Sequence, residues 1–326
     1  FVELVKSLLP LSKQHLAAYY RLQNTKENRI NPMDTQLGLR YPLSGHRSTI
    51  LNLVSSLTAQ DDGSAPPEGT LDVINGLIDL AYKRLSERLH AHTYVPGLCE
   101  EVDEALEKYS FESEAKRPIW WDIVDFLYLQ DEPRLASLAQ RYAVPTVPYL
   151  NSLCSDPRIA DEFVDAKTLS QEPITSYVSR KLRAAVNAYP ILGGETLFDI
   201  GQSRIVSLDL DDVTKGRGIE GQRRTTLFYT LAYHVLTTDM YKGPDSLKEM
   251  EAEVGLYKID YRRYHKQDVE RLQRTVKRFC ADEIHRGSEV PEFILQLITA
   301  VLEGRKWGVD VTLASQLADA FPADIK

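Results

Sequence analysis

Asp282 and Glu283 directly follow a short apolar run at 276–281, and Ser315 and Gln316 follow a second one at 309–314. Neighbouring strands that each end in polar groups gather those groups at the carboxyl edge of a sheet, where open α/β folds bind ligands. There an aspartate can hold a magnesium ion through water, and a glutamate can orient or deprotonate an attacking water. A glutamine on the adjoining strand end can sense a γ-phosphate or the lytic water. Ser315 and Asp282 supply hard oxygen donors of the kind a nucleotide and its metal use. Between the two strands lies Gly304-Arg305-Lys306-Trp307-Gly308. Arg305 is suited to clamp a transferring phosphoryl group, in the same chain or from a neighbouring subunit, and Lys306 adds a second cation. The bland readings compete with these: strand-end acids also cap helices, a loop glutamine also satisfies backbone groups, and two cations at a turn are often simply solvated. His285 and Arg286, next to the acids, read as hydrogen-bonding rather than catalytic residues.

A phosphate loop of the form G-x-x-x-x-G-K-[ST] is absent from the sequence. The segment ending Gly45-His46-Arg47-Ser48 has the wrong spacing and no lysine. The run 216–221 matches G-x-G-x-x-G and precedes a predicted helix. However, five residues separate it from its strand, and Asp209, Asp211 and Asp212 would repel a pyrophosphate. It reads as a flexible glycine-rich loop and not as a dinucleotide site. His90 and His92 lie two apart on a predicted helix and cannot share a face, which argues against a metal role. Trp120-Trp121 reads as core, with an exposed partner patch as the alternative.

These residues must be positioned by the elements around them. The 326 residues suit roughly two domains. With 43% apolar and 26% charged residues the composition is that of an ordinary globular protein. A net charge of -8 disfavours nonspecific coating of nucleic acid. Three scattered cysteines, Cys99, Cys154 and Cys280, give no metal or disulfide spacing and point to a reducing compartment. No apolar run approaches the ~20 residues that span a bilayer. The chain opens on Phe1 in mid-pattern, as a piece of something longer would.

Apolar spacing predicts helix over 1–9 and again over 11–22, a break at Asn31-Pro32-Met33-Asp34, and a helix over 44–58. After the Pro/Gly/Asp-rich loop at 61–69, almost everything to 189 reads as helix, including 120–127, 135–142, 159–169 and 177–186. Prolines punctuate these helices. After Pro190 the period changes. A strand at 204–210, a helix at 222–236, a strand at 276–281, a helix at 291–303 and a strand at 309–314 alternate as in a parallel α/β sheet. The expected organisation is an ATPase-like core over 1–60 and 191–326, interrupted by an all-helical insertion over 61–190.

Four stretches together resemble a known family: 31–42, 204–213, 280–286 and 304–316. They look like the carboxy-terminal ATPase part of the DotO/IcmB proteins, conjugation-type RecA-like ATPases of type IVB secretion systems. The resemblance implies a P-loop NTPase core, incomplete here, with a large helical insertion. It implies a homohexamer at the cytoplasmic face of the bacterial inner membrane, working with inner-membrane components and a second ATPase, and ATP hydrolysis with magnesium to drive assembly or transport. It assigns magnesium contact to Asp282, water activation to Glu283, the basic motif to Arg305 and the sensor to Gln316. In that family the phosphate loop would precede Phe1, so this piece alone is expected to be inert. Alternatives from other classes are a DNA translocase of the same superfamily, with DNA as a partner not otherwise indicated, and a helical interaction module on an inactive α/β scaffold.

Overall fold

In the computed structural model, residues 2–113, 115–197, 199–200, 203–216, 218–282, 284 and 291–316 are described. The chain is mixed α/β, mostly helical, with two small parallel sheets. It divides into two compact units: 1–24, 202–251 and 262–326 form the first, and 25–201 with 252–261 form the second.

The first unit holds the four strands found among the described residues. β1 (Ala17–Arg21) pairs in parallel with β2 (Ile205–Asp209), with Ala17 opposite Ile205 and Arg21 opposite Asp209. β3 (Lys277–Ala281) pairs in parallel with β4 (Val309–Leu313), with Lys277 opposite Val309 and Ala281 opposite Leu313. Alternation decides which way the second ribbon faces. Phe279, Ala281, Val309, Val311 and Leu313 turn toward Tyr229 and Tyr233 of α10 (Gly218–Thr237) and Leu297 of α13 (Pro291–Glu303). The rings of Tyr233 and Phe279 meet edge to face, 5.4 Å apart. Arg278, Cys280, Asp310 and Thr312 occupy the other face, which is exposed. There Arg278 Nε donates across the register to Asp310 at 2.7 Å.

Two expectations fail in this unit. The helix over 11–22 is instead a 3-10 turn at Leu11–Leu16 followed by β1. Ala-Ala-Tyr-Tyr-Arg suits a half-buried strand once a partner exists, and that partner lies about 190 residues later in the chain. The strict strand–helix alternation after Pro190 also breaks down. Between β2 and β3 come three helices: α10, α11 (Pro244–Val254) and α12 (Arg262–Arg274). α12 buries His265, Val269 and Leu272, one face of a helix, which leads into β3.

The second unit is helical: α2 (Ser44–Leu57), α3 (Thr70–Ser86), α4 (Glu100–Lys108), α5 (Trp120–Leu129), α6 (Pro133–Gln140), α7 (Val147–Leu153), α8 (Pro157–Glu162) and α9 (Ile174–Ala188). The helix expected over 159–169 stops at Glu162, where the chain turns into an isolated bridge between Lys167 and Pro173. Trp120 and Trp121 are both core, not a surface patch: Trp120 stacks on Tyr142 at 4.5 Å, and the Trp121 indole donates to the Leu85 carbonyl.

Residues 25–60 fall in this unit and not with the strands, and the unit boundary after Gly201 likewise differs from the expected 190. The reason is a network of buried polar bonds. Asn31 Nδ2 donates to the Pro145 carbonyl at 3.0 Å, and the Gly38 amide donates to Gln140 Oε1 at 2.7 Å. Gln140 Nε2 returns bonds to Thr35 Oγ1 and to the Gln36 carbonyl. A buried amide that leaves such donors and acceptors unpaired would cost about 1–3 kcal/mol each, so the loop cannot detach cheaply. The segment 252–261 joins the same unit through Tyr261. Its ring lies so close to Gly38 that a Cβ there would stand 2.6 Å from it, and Gly38 also holds a left-handed φ of 79° that favours glycine. Its hydroxyl donates to Asp125 at 2.7 Å.

Candidate functional site

The carboxyl end of the β3–β4 ribbon is built by continuing its register. The Ala314 amide donates to the Ala281 carbonyl at 2.9 Å, and the Ile284 amide donates to the Ala314 carbonyl at 3.2 Å. Asp282 therefore stands beside Ala314, one residue from Ser315 and two from Gln316. Asp282 and Gln316 are exposed and Ser315 is half-buried. The ladder thus brings together three of the residues singled out in the sequence. Glu283, like His285 and Arg286, lies outside the described residues.

Arg305 and Lys306 are not part of this cluster. They occupy the 3-10 turn Gly304–Trp307 that precedes β4, so they sit at the amino end of the ribbon. Six residue steps along β4 separate Gly308 from Ala314, roughly 20 Å at ~3.3 Å per residue. Arg305 is exposed, and Lys306 pairs with Glu303 at 3.3 Å. Lys277 joins them at this end. Its amide donates to the Gly308 carbonyl, and its ammonium donates to the Leu272 carbonyl at 3.0 Å in the last turn of α12. Burial pushes the Lys277 ammonium below the usual lysine range. The two ends of one ribbon therefore carry opposite chemistry: oxygen donors at the carboxyl end, cations at the amino end. Within its own chain, Arg305 lies at the opposite end of the ribbon from Asp282.

The carboxyl end of β2 adds acids that the sequence left unpartnered, and the structure pairs all three. Tyr19 donates to Asp209 at 2.6 Å and Arg21 pairs with Asp212 at 2.8 Å, both from β1. Lys215 pairs with Asp211 at 2.6 Å. The Tyr19 hydroxyl is the first reason the Asp209 carboxyl lies below its ordinary range, ahead of the bond from the Asp211 amide. Tyr19 and Arg21 were missed as site residues because their segment reads as helix. The alternation of Ala17–Arg21 was the only available signal.

The glycine-rich run is not a free loop either. α10 begins at Gly218, inside the motif, and Gly221 already lies within the helix. Gly216 packs so closely on Gly221 that a Cβ on Gly216 would stand 2.6 Å from the Gly221 Cα. In a dinucleotide fold the glycines approach a pyrophosphate; this pair approach each other.

The donors at the Asp282 edge suit magnesium only in part. Among the described residues no three acidic, histidine or cysteine side chains are grouped to hold a metal. Magnesium at nucleotide sites commonly takes one or two carboxylates and completes its shell with water and phosphate oxygens, so the single exposed carboxylate of Asp282 fits that donor set, with Ser315 one residue further along the neighbouring strand. Among the described residues no helix is long and apolar enough to cross a membrane.

No family model matches the sequence. No curated protein matches it either. Among solved structures the fold is similar to VirB4 of Thermoanaerobacter pseudethanolicus, with 15% identity, a TM-score of 0.50 and 94% of this chain covered. The match spans 59% of the VirB4 chain.

Proposed function

We propose that this chain supplies the metal and water side of a nucleoside-triphosphate hydrolase, acting as the motor of a type IV secretion or conjugation apparatus. The observation that carries the reading is the register of β3 and β4, which sets Asp282 beside the residues that lead to Ser315 and Gln316. The fold likeness to VirB4 supports the same reading, as does the sequence resemblance to the DotO/IcmB ATPases.

In this proposal Asp282 and Ser315 hold the magnesium side of ATP, Glu283 orients and deprotonates the attacking water, and Gln316 contacts that water or the γ-phosphate. Magnesium, when bound, neutralises charge on the β- and γ-phosphates. These residues form no phosphate cradle of the G-x-x-x-x-G-K-[ST] type. Arg305 and Lys306 act on the site of a neighbouring copy, because their place at the amino end of the ribbon separates them from Asp282 of their own chain. A head-to-tail ring puts the amino end of one ribbon against the carboxyl end of the next. The homohexamer, its partners in the apparatus, and its station at the cytoplasmic face of the inner membrane belong to the same proposal.

The test is ATP turnover by the full-length protein carrying Glu283→Gln. Loss of a general base costs about 10²–10⁴-fold in rate while ATP still binds. Turnover near the unaltered rate contradicts the assignment. Failure of the unaltered full-length protein to bind or hydrolyse ATP, with 70–189 still capturing a protein, favours the interaction module instead.

A further inference from the structure

With Arg305 and Lys306 at the far end of the ribbon, the Asp282 edge needs another source of positive charge if phosphates are to sit there. Two arginines that the proposed mechanism does not use stand near it. Leu210, the residue after β2, packs into the same apolar cluster as Ala281 and Leu313, the last residues of β3 and β4. The ends of the three strands therefore converge. From this edge α10 runs back toward Tyr229 in the core of the ribbon, and Arg223 and Arg224 lie in its second turn. Arg224 Nη2 reaches back to the Asp212 carbonyl at 3.5 Å, two residues beyond Leu210.

These guanidinium groups are short of acceptors. Nε and Nη2 of Arg223 and Nε of Arg224 are closed to solvent and, among the described residues, have no hydrogen-bond partner. Buried donors without acceptors are rare in folded proteins because each forfeits its hydration. Three nearby acids are engaged by other groups. Asp209 is engaged by Tyr19, Asp212 by Arg21, and Asp211 by Lys215. Counting these three acids and Glu220 of α10 against Arg21, Lys215, Arg223 and Arg224 leaves these side chains balanced in charge, so the unpartnered donors and not an excess of charge mark the turn. Beside it the close packing of Gly216 on Gly221 draws the loop back, and the space over Gly218 is open, with no atom within 4 Å of where a Cβ would stand.

We infer that Arg223 and Arg224 bind a phosphoryl oxyanion at the turn after β2. A planar guanidinium with two free donors matches adjacent oxygens of one phosphate. Calling that oxyanion the phosphate chain of a nucleotide rests on the proposed function; the oxyanion site itself does not. In that case the two arginines supply, from within the chain, the cationic contact that the sequence assigned to Arg305.

The test titrates inorganic tripolyphosphate into the 326-residue chain by calorimetry at constant ionic strength. The unaltered chain binds it. Arg223→Gln with Arg224→Gln weakens binding by about tenfold or more, the scale of a lost charge-assisted bond, whereas Arg305→Gln changes it by less than about twofold. Equal binding by the double variant, or no binding by the unaltered chain, overturns the inference. Should the double variant fail to fold, hydrogen exchange on the unaltered chain decides. Tripolyphosphate must slow exchange of the amides at 218–224, and unchanged exchange there overturns the site. ATP turnover separates this from the hydrolase reading. Arginine-dependent tripolyphosphate binding in a full-length protein that never hydrolyses ATP keeps the oxyanion site and removes the hydrolase. Hydrolysis with unaltered rate and KM in the double variant keeps the hydrolase and removes the arginine site.

Discussion

The two ends of the β3–β4 ribbon are about 20 Å apart by strand rise and differ in almost every respect. The carboxyl end exposes Asp282 and Gln316 with a half-buried Ser315, all delivered by backbone register. The amino end gathers Lys277, Arg305 and Lys306 around the Gly308 turn and the last turn of α12. In sequence Arg305 is only eleven residues from Gln316, which suggests a single cluster. A five-residue strand lies between them, and a strand is a spacer before it is anything else. Residues close in sequence but flanking a strand face opposite edges of the sheet. In the proposed function these two ends are halves of sites that a second copy completes.

The contrast can be broken in several ways, taken here from the largest expected effect to the smallest. Glu283→Gln should lower ATP turnover of the full-length protein by about 10²–10⁴-fold with binding retained, because it strikes the carboxyl end alone. Arg305→Gln should also abolish most turnover, by about 10³-fold or more if it acts as an arginine finger, yet leave ATP affinity of isolated subunits unchanged. An affinity loss in isolated subunits would place Arg305 in its own chain's site. Phe279→Ala empties the core that holds both ends in register. It should cost about 3–5 kcal/mol in denaturant unfolding and weaken both half-sites together. Loss of one end only would show that the ribbon is not their common support.

The mildest change belongs to the helical unit and serves as a control. Asp34 is buried, accepts bonds from Thr196 Oγ1 and Asn31 Nδ2, and has its carboxyl pushed up to about 6, chiefly by burial. An acid whose folded value lies above its unfolded one favours folding when protonated. That advantage is present below about pH 4 and is lost as pH rises toward 6, by about 3 kcal/mol for a rise from 3.8 to 6. Asp34→Asn should flatten the stability profile between pH 4 and 6 and leave tripolyphosphate binding unaltered. A change in that binding would mean the ribbon's chemistry depends on the helical unit.

Much of this was legible in the sequence because it depends on local periodicity. β3 and β4 alternate visibly, Trp120 through Leu127 reads as one buried helical face, and the prolines mark helix starts at Pro133 and Pro157. Asp282, Ser315 and Gln316 could be set on one edge because two strands ending in polar residues need only pair in parallel. What escaped depends on distant partners. β1 exists only through β2, so Ala17–Arg21 carried too short a pattern to outweigh the helical spacing around it. The loop at 31–38 joins the helical unit through Pro145 and Gln140, more than a hundred residues away. The glycine motif showed its spacing but not its packing: nothing local tells that Gly216 rests on Gly221. For Arg305 the sequence left two settings open, its own chain or a neighbouring subunit, and local pattern could not choose between them because the answer depends on which end of β4 the turn occupies.

Subunit mixing tests the central claim most directly. Full-length protein carrying Glu283→Gln and full-length protein carrying Arg305→Gln are each assayed alone, then co-assembled and assayed for ATP hydrolysis. If the two ends of the ribbon serve different subunits, some contacts in the mixed assembly pair an intact Glu283 with an intact Arg305, and turnover rises well above either parent. If both residues serve one subunit, no mixed assembly contains a complete site. Turnover that stays at the level of the parents would contradict the account.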